Sequence, residues 1–306
     1  MGPAVLLVNS DHLVRWLLRA SPELPTGLSI GTWRTWLTRI HGECTGRPLP
    51  VSWRDDRRQY DWPTIEQALL QAEPLPRRIF LDEAQDIPVQ IIRIARQHAT
   101  SLMAFADPVQ RFEGEGSNVE EVVDAIGGPH PWPVFALEED FRTTRQIQAF
   151  ATAAWAPSRV DPARPARRSG PMPRVVRGDT TRIVAETRGL LSNPSITSLV
   201  VATAQTERAA ITAALESADV RVARPTDPES GRVRVLAFET LRGLEFDGVI
   251  LVPPSTGIEW DVLRAHLYVA ATRARHALSV VAPTTDPPGF AGALGRAAGL
   301  FAEVDA

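Results

Sequence analysis

The sequence predicts an α/β protein with parallel sheets, folded in two halves. Three observations predict it. Arg78-Ile79-Phe80-Leu81 is a short apolar run closed by Asp82-Glu83, and Ser101 to Ala106 is a second run, closed by Asp107-Pro108-Val109-Gln110. One helical pattern lies between them: Pro88 can open a first turn, and Val89, Ile91, Ile92, Ile94 and Ala95 give a broad apolar face. Two strand–acid units joined by a helix suit a parallel pair with a crossover. From Arg174 onward strand and helix patterns alternate, as in a parallel sheet covered on both faces. Between the halves, Ala156 to Pro173 is rich in Pro and Arg and reads as a linker or surface loop.

Taken in order, Ala4 to Val8 is a first strand, and Ser10 or Asp11 caps a helix carrying Leu13, Val14, Leu17 and Leu18. Leu28 to Gly31 is a short strand. It leads into a helix with Trp33, Trp36, Leu37 and Ile40 on one face, and that spacing places both tryptophans in the core. Gly46 to Pro76 is polar, with Trp53, Arg54, Arg57, Arg58, Tyr60 and Trp62. Arginines interleaved with aromatics can track a nucleic-acid strand, but Asp55, Asp56 and Asp61 dilute the charge. A surface insertion with one short helix near Ile65 to Leu70 is expected. Gly127 to Pro133 is turn-rich, Val134 to Leu137 is a strand, and Thr143 or Thr144 caps a helix to about Ala154.

In the second half, Arg174 to Val176, Leu199 to Ala202, Val220 to Ala223, Val233 to Phe238, Val249 to Val252 and Leu278 to Val281 read as strands. Thr181 to Leu191, Gln205 to Ser217 and Trp260 to Ala274 read as helices.

The chain has 306 residues, is 44% hydrophobic and carries a formal charge of −3. That is enough for two cores, and it gives no whole-protein attraction to nucleic acid; any such contact needs a local basic groove. The lone cysteine, Cys44, excludes an internal disulfide, and no Cys/His cluster suggests zinc. No signal peptide or membrane-spanning run is legible, so a cytoplasmic protein is expected. All 33 basic residues are arginine; there is no lysine.

Asp82 and Glu83 stand where an open α/β sheet presents its ligands, at a strand's carboxyl end. In nucleotide hydrolases the first acid of such a pair holds Mg²⁺ and the second orients or deprotonates water. A solvated acidic turn would carry the same residues.

Five ordered segments sharpen this. "IFLDEAQD" with "FADPVQ", "LEEDFRTTRQI" (Leu137 to Ile147), "LRGLEFDGVIL" (Leu241 to Leu251) and "LYVAATRARHAL" (Leu267 to Leu278) resemble motifs II to VI of the UvrD/Rep-like superfamily 1 DNA helicases. "AVLLVNSDHLVRWL" and "LSIGTWRTWLTRI" look like their motifs Ia and Ib. The resemblance implies two RecA-like parallel-sheet halves of the P-loop NTPase helicase fold, 1–140 and 141–306, facing across a cleft. It implies ATP and Mg²⁺ as cofactors and single-stranded DNA as a partner. Residue by residue it implies Asp82 at the metal, Glu83 and Gln110 at the reacting phosphate, and Phe141 on the adenine. Gly243 and Glu245 are implied near the ribose, Arg142 and Arg273 at the γ-phosphate, and Thr32 and Trp33 on DNA. Arg273 is expected within the helix "HLYVAATRAR". Arg242 stands where motif V usually has lysine, and Ala237 and Glu239 where it commonly has Thr and His.

The family's Walker A loop, G-x-x-x-x-G-K-[ST], has no match. Only three residues precede Ala4, and no lysine exists to neutralise the β/γ-phosphates. Arginine is bulkier and planar and fits so tight a cradle poorly. The first half should therefore lack its P-loop strand, so that its sheet closes differently or another segment fills the gap. Three readings follow: an ATPase whose P-loop comes from a partner chain, a non-hydrolysing module that binds nucleic acid or protein, or a truncated ordinary helicase.

Overall fold

The computed structural model describes residues 3–21, 23–54, 57–75, 77–107, 117–127, 133–135, 137, 140–156, 166–224, 232–241, 243–254 and 257–304. The chain divides into two compact units, Met1–Phe135 and Ala136–Ala306. Both are α/β with parallel principal sheets, the class the sequence predicts.

In the first unit, β1 (Ala4–Val8) is followed by α1 (Asp11–Ala20), β2 (Leu28–Thr32) and α2 (Trp33–Thr45). Ser10 caps α1 by accepting from Leu13 N, and Thr32 caps α2 by accepting from Thr35 N. A hairpin of β3 (Val51–Arg54) and β4 (Arg57–Tyr60) comes next, then α3 (Trp62–Leu70). β5 (Arg77–Leu81) ends in a 3-10 turn over Ala84–Asp86 and is followed by α4 (Val89–His98), β6 (Ala99–Ala104) and α5 (Val119–Gly127). The sheet order is β2-β1-β5-β6, every pair parallel. The sheet has no internal gap, because β1 pairs directly with β5.

Period-2 alternation sends Val5, Leu7, Ile79, Leu81 and Leu102 to one face. There they meet Trp33, Trp36, Leu37 and Ile40 of α2, Ile65 and Leu69 of α3, Ile91, Ile92 and Ala95 of α4, and Val122 of α5. Burying a side chain of this size contributes about 1.5–3 kcal/mol, so this layer dominates the unit's stability. Gly46 to Pro76 is more ordered than a surface loop with one helix. Its Tyr60 and Trp62 rings lie 5.5 and 6.4 Å from Trp33, which explains why the hairpin is pinned.

The second unit begins with α6 (Arg145–Trp155), capped by Thr144. It continues through β7 (Arg174–Arg177), α7 (Thr180–Leu191), β8 (Leu199–Thr203), α8 (Arg208–Ser217) and β9 (Val233–Ala237). β10 (Phe246–Leu251), α9 (Trp260–Ala271), β11 (Ala274–Ala282), α10 (Phe290–Arg296) and β12 (Ala302–Val304) complete it. The order β12-β7-β11-β10-β8-β9 is parallel throughout. β8 and β10 are buried at every position, as central parallel strands are.

Three expected elements differ. Val134, Phe135 and Leu137 form no strand; they are highly exposed and meet no sheet edge. Val220 to Ala223 is not a strand either. Asp219 turns the chain at φ 56, and the segment meets β9 only by isolated pairing, a bridge from Val222 to Val233 and a hydrogen bond from Ala223 N to Val233 O at 2.7 Å. The helix expected to run to Ala274 stops at Ala271, where Thr272 closes it with its N–H on Tyr268 O and its hydroxyl on Val269 O.

Candidate nucleotide-site residues

β5 delivers the acid pair as its pattern predicts. Asp82 N donates to Leu7 O at 2.9 Å, which fixes the strand end against β1. Asp82 Oδ1 then accepts from Glu83 N at 3.1 Å. Glu83 has φ 50 and ψ 49, a left-handed conformation that costs a non-glycine residue roughly 1–2 kcal/mol. Such strain persists only where the surroundings hold it.

The restraint is Gln85, 1% exposed. Its Nε2 donates to Glu83 Oε2 at 2.6 Å, and its Oε1 accepts from Asp107 N at 3.0 Å. One amide thus ties the end of β5 to Asp107, three residues beyond β6. Ala84 N on Phe105 O at 2.8 Å adds a backbone tie between the same ends. Ser117 clamps the turn from outside, N–H to Gln85 O and Oγ to Ile87 O. The result is a carboxylate held in one orientation beside Asp82. The sequence reading passed over Gln85, although its place between Glu83 and Asp86 in "DEAQD" was the available signal.

Among the described residues no cluster of three or more His, Cys, Asp or Glu could hold a metal ion by itself. Mg²⁺ does not require one; it is bound through one or two carboxylates with water and phosphate oxygens completing the shell. The oxygen donors of Asp82 and Glu83 fit that chemistry. The given sequence contains no lysine to set against the β- and γ-phosphates of a triphosphate. Gln110, Phe112, Glu113 and Glu115 lie outside the described residues.

Trp33 is fully buried, and its Nε1 donates to Asn9 Oδ1 at 3.0 Å. Arg34 lies over its ring at 4.2 Å. Thr32, 4% exposed, spends its hydroxyl on the α2 cap and on Thr35 Oγ1. Both residues thus have structural roles, and Trp33 takes the core position that its helical spacing predicts.

In the second unit, Asp140 Oδ1 accepts from Arg142 N at 2.7 Å and Thr143 N at 3.2 Å, a local turn that aims the Arg142 side chain. Arg142 Nε donates to Glu245 Oε1 at 2.5 Å, so two of the expected site residues meet. Phe141 is 64% exposed, with the Arg167 guanidinium 5.2 Å from its ring centre. Glu138, Glu139 and Arg242 lie outside the described residues.

Gly243 has φ 69, which glycine adopts without strain, and it turns the chain into β10 just before Glu245. Arg273 is 1% exposed and lies after α9 rather than on it, in the junction to β11. Its carbonyl accepts from Phe246 N at 3.0 Å, joining that junction to the start of β10. Nearby, the sequence reading missed Asp247. Burial pushes its carboxyl pKa up, but hydrogen bonds from the hydroxyl and amide of Thr197 and of Ser198 outweigh that and hold it below the usual value. Its role is to lock the start of β8 to β10.

No helix among the described residues is long and apolar enough to cross a membrane.

Residues 235–281, which carry β9 to β11 with Gly243, Glu245 and Arg273, match the family described as the UvrD-like helicase C-terminal domain. No curated protein matches the chain. Among solved structures, the C-terminal domain of a possible DNA helicase from Lactobacillus plantarun WCFS1 is 23% identical with a TM-score of 0.42, covering 54% of this chain and 98% of that one. Arterivirus nonstructural protein 10, a helicase, is 15% identical with a TM-score of 0.41, covering 92% of this chain and 53% of its own. The same protein in complex with DNA gives 13% and 0.42, covering 92% and 54%. This chain thus spans about half the length of the arterivirus helicase. The likeness of this chain to the UvrD-like helicases thus rests on residues 235–281.

Proposed function

We propose that this helicase-related chain is an ATPase half-machine, dependent on ATP and Mg²⁺ only when a partner polypeptide supplies the phosphate-binding loop. The observation that carries this is Glu83: a glutamate at a strand's carboxyl end, kept in a strained backbone conformation by a buried glutamine, next to Asp82. A solvated acidic turn has no need of that restraint.

In this reading Asp82 would hold Mg²⁺, and a cation there would supply charge neutralisation at phosphate oxygens. Glu83 orients the attacking water and accepts its proton at a carboxylate oxygen, and Gln85 keeps that oxygen pointed. Gln110 contributes a polar contact to the phosphate. From the second unit, Phe141 offers an exposed ring for a base, and Gly243 and Glu245 contact the ribose. Arg142 and Arg273 supply fixed positive charge for the transferred phosphate. Single-stranded DNA is the proposed partner, with Thr32 and Trp33 shaping its path from beneath rather than stacking on it. A second reading, a non-hydrolysing module that binds nucleic acid or protein, is favoured by the complete absence of lysine.

The test is hydrolysis by the chain together with a supplied P-loop polypeptide. Glu83→Gln and Arg273→Ala should each abolish it, the latter by about 10³–10⁵, as arginine fingers do elsewhere. Full activity in either variant would remove that residue from the site.

A further inference from the structure

In the second unit, the turn that carries Phe141 and Arg142 is held by a short strap, Ala166 to Gly170. Arg167 N donates to Asp140 O at 3.3 Å, and Arg145 N to Arg168 O at 2.8 Å. Thr144 and Arg168 pair as a parallel bridge. Gln148 Oε1 accepts from Ala166 N at 2.8 Å, and Gln146 Oε1 from Gly170 N at 2.9 Å. The approach is close, since a Cβ on Gly170 would lie 2.5 Å from Thr144 Cγ2. The strap and the segment from Asp140 to Gln148 therefore behave as one piece, with the Arg167 guanidinium over the Phe141 ring.

Arg168 ties that piece to the sheet. Its Nη2 donates to Arg275 O, at the start of β11, and lies 3.3 Å from His276 Nδ1. A guanidinium has donors only, so Nδ1 presents its lone pair there. The closed strap thus requires a neutral His276 ring with its proton on Nε2. That nitrogen is 3.7 Å from Asp247 Oδ1, just beyond hydrogen-bonding range.

Asp247 can take a second cation. Its Oδ2 accepts four hydrogen bonds from Thr197 and Ser198, while Oδ1 faces His276 and, at 3.8 Å, Arg275 Nη1. Those four bonds hold the carboxyl below its usual value, so it stays ionised where an imidazole changes charge. The His276 side chain is 40% exposed and exchanges protons with solvent directly. Three charged groups face it: Arg168 from the strap, Asp247 from β10 and Arg275 from its own strand. Protonation sets Nδ1–H against the Arg168 N–H groups, donor against donor and cation against cation. It also gives the ring a full charge toward Asp247. The two neighbours therefore favour opposite states of one ring.

We infer that His276 is a proton-operated clasp: neutral, it holds Arg168 and closes the strap against β11; protonated, it turns to Asp247 and releases Arg168, freeing the turn that carries Phe141 and Arg142. The open form binds the proton, so lowering the pH favours it. Control of a nucleotide by this clasp rests on the function proposed above; the clasp itself does not.

The experiment uses the full chain without nucleotide, between about pH 5 and 8. Amide hydrogen exchange, expressed as protection factors, follows Arg145 and Arg167. Imidazole nitrogen NMR follows His276, identified among the six histidines by its loss in His276→Gln. The expected result is a proton on Nε2 at the alkaline end. Both protection factors should then fall by roughly tenfold or more toward the acid end, in step with the ring's own titration, as losing one hydrogen bond to a charged group gives. His276→Gln keeps an acceptor for Arg168 and cannot be charged, so its strap should stay closed throughout. That variant leaves His266 of the same unit intact and so separates the two histidines. His276→Lys carries a charge throughout and should be open even at the alkaline end. Unchanged protection at the buried Ile250 and Leu267 amides checks that the unit stays folded. Wild-type protection that ignores pH, or that falls equally in His276→Gln, would overturn the proposal, as would a neutral ring with its proton on Nδ1. An open clasp in His276→Lys with hydrolysis unaffected, in the presence of a supplied P-loop polypeptide, leaves the clasp standing and defeats the placing of Phe141 and Arg142 at the nucleotide.

Discussion

Replacing Gln85 by leucine tests whether one buried amide holds the acid pair. Leucine is close to glutamine in volume, so the change removes hydrogen bonds with little cavity. Two are lost: Nε2 to the Glu83 carboxylate at 2.6 Å, and Asp107 N to Oε1 at 3.0 Å. A bond to a charged group contributes about 1.5–3 kcal/mol and a neutral one about 0.5–1.5 kcal/mol, so the expected loss is about 2–4 kcal/mol. Urea denaturation of the first unit, followed by its tryptophan fluorescence, reads this as a lower midpoint at unchanged slope. Gln85→Glu adds a sign. Two carboxylates at that separation share a proton, so the new acid's folded-state pKa is raised. Its stability is then fully present below the unfolded pKa, near 4.3, and is lost as pH rises through the folded value. The glutamate variant should therefore regain stability as pH falls from 7 toward 5, relative to the leucine variant. A leucine variant within about 0.5 kcal/mol of wild type would refute the reasoning.

The Arg142–Glu245 pair, 37% and 35% exposed, should show a double-mutant coupling of only about 0.5–1 kcal/mol, shrinking with salt; coupling that salt leaves unchanged contradicts this. His98 is held neutral, its Nδ1 accepting from Leu75 N and its Nε2 donating to Leu69 O. Burial lowers its pKa, the Leu69 bond partly opposes this, and Arg77 adds to it. Its contribution to stability is therefore complete above the unfolded value near 6.5 and is lost as pH falls through the folded value. His98→Gln should flatten the stability–pH curve of the first unit below pH ~6.5, and an unchanged curve would count against it. Single-stranded DNA binding by the chain alone should be weak and fall steeply with salt, given a net charge of −3; tight, salt-insensitive binding in fluorescence anisotropy would contradict it.

Periodicity and turn chemistry made most of the fold legible. The apolar runs at Ala4–Val8, Leu199–Ala202 and Val249–Val252 mark strands because four or five consecutive apolar positions suit a sheet covered on both faces. Val134 to Leu137 carries the same kind of run and is exposed coil, since a strand needs a neighbour that local composition does not reveal. The Asp82–Glu83 pair was legible from its place after a strand. Gln85 was not, because its role arises only when β6 brings Asp107 beside the same turn. Arg273 was assigned to a helix that Thr272 ends one residue earlier, a boundary set by capping bonds rather than by the apolar pattern. The expected gap in the first sheet does not occur, because β1 pairs directly with β5, a pairing that the apolar pattern alone does not reveal.

The central claim is that this chain hydrolyses ATP only with a phosphate-binding loop from elsewhere. The most direct measurement is steady-state ATP–Mg²⁺ hydrolysis by the purified chain without a partner, beside its Glu83→Gln variant. The account predicts no turnover above background in either protein. Steady turnover in the wild type that disappears in Glu83→Gln would contradict it, because the chain would then have a phosphate cradle of its own.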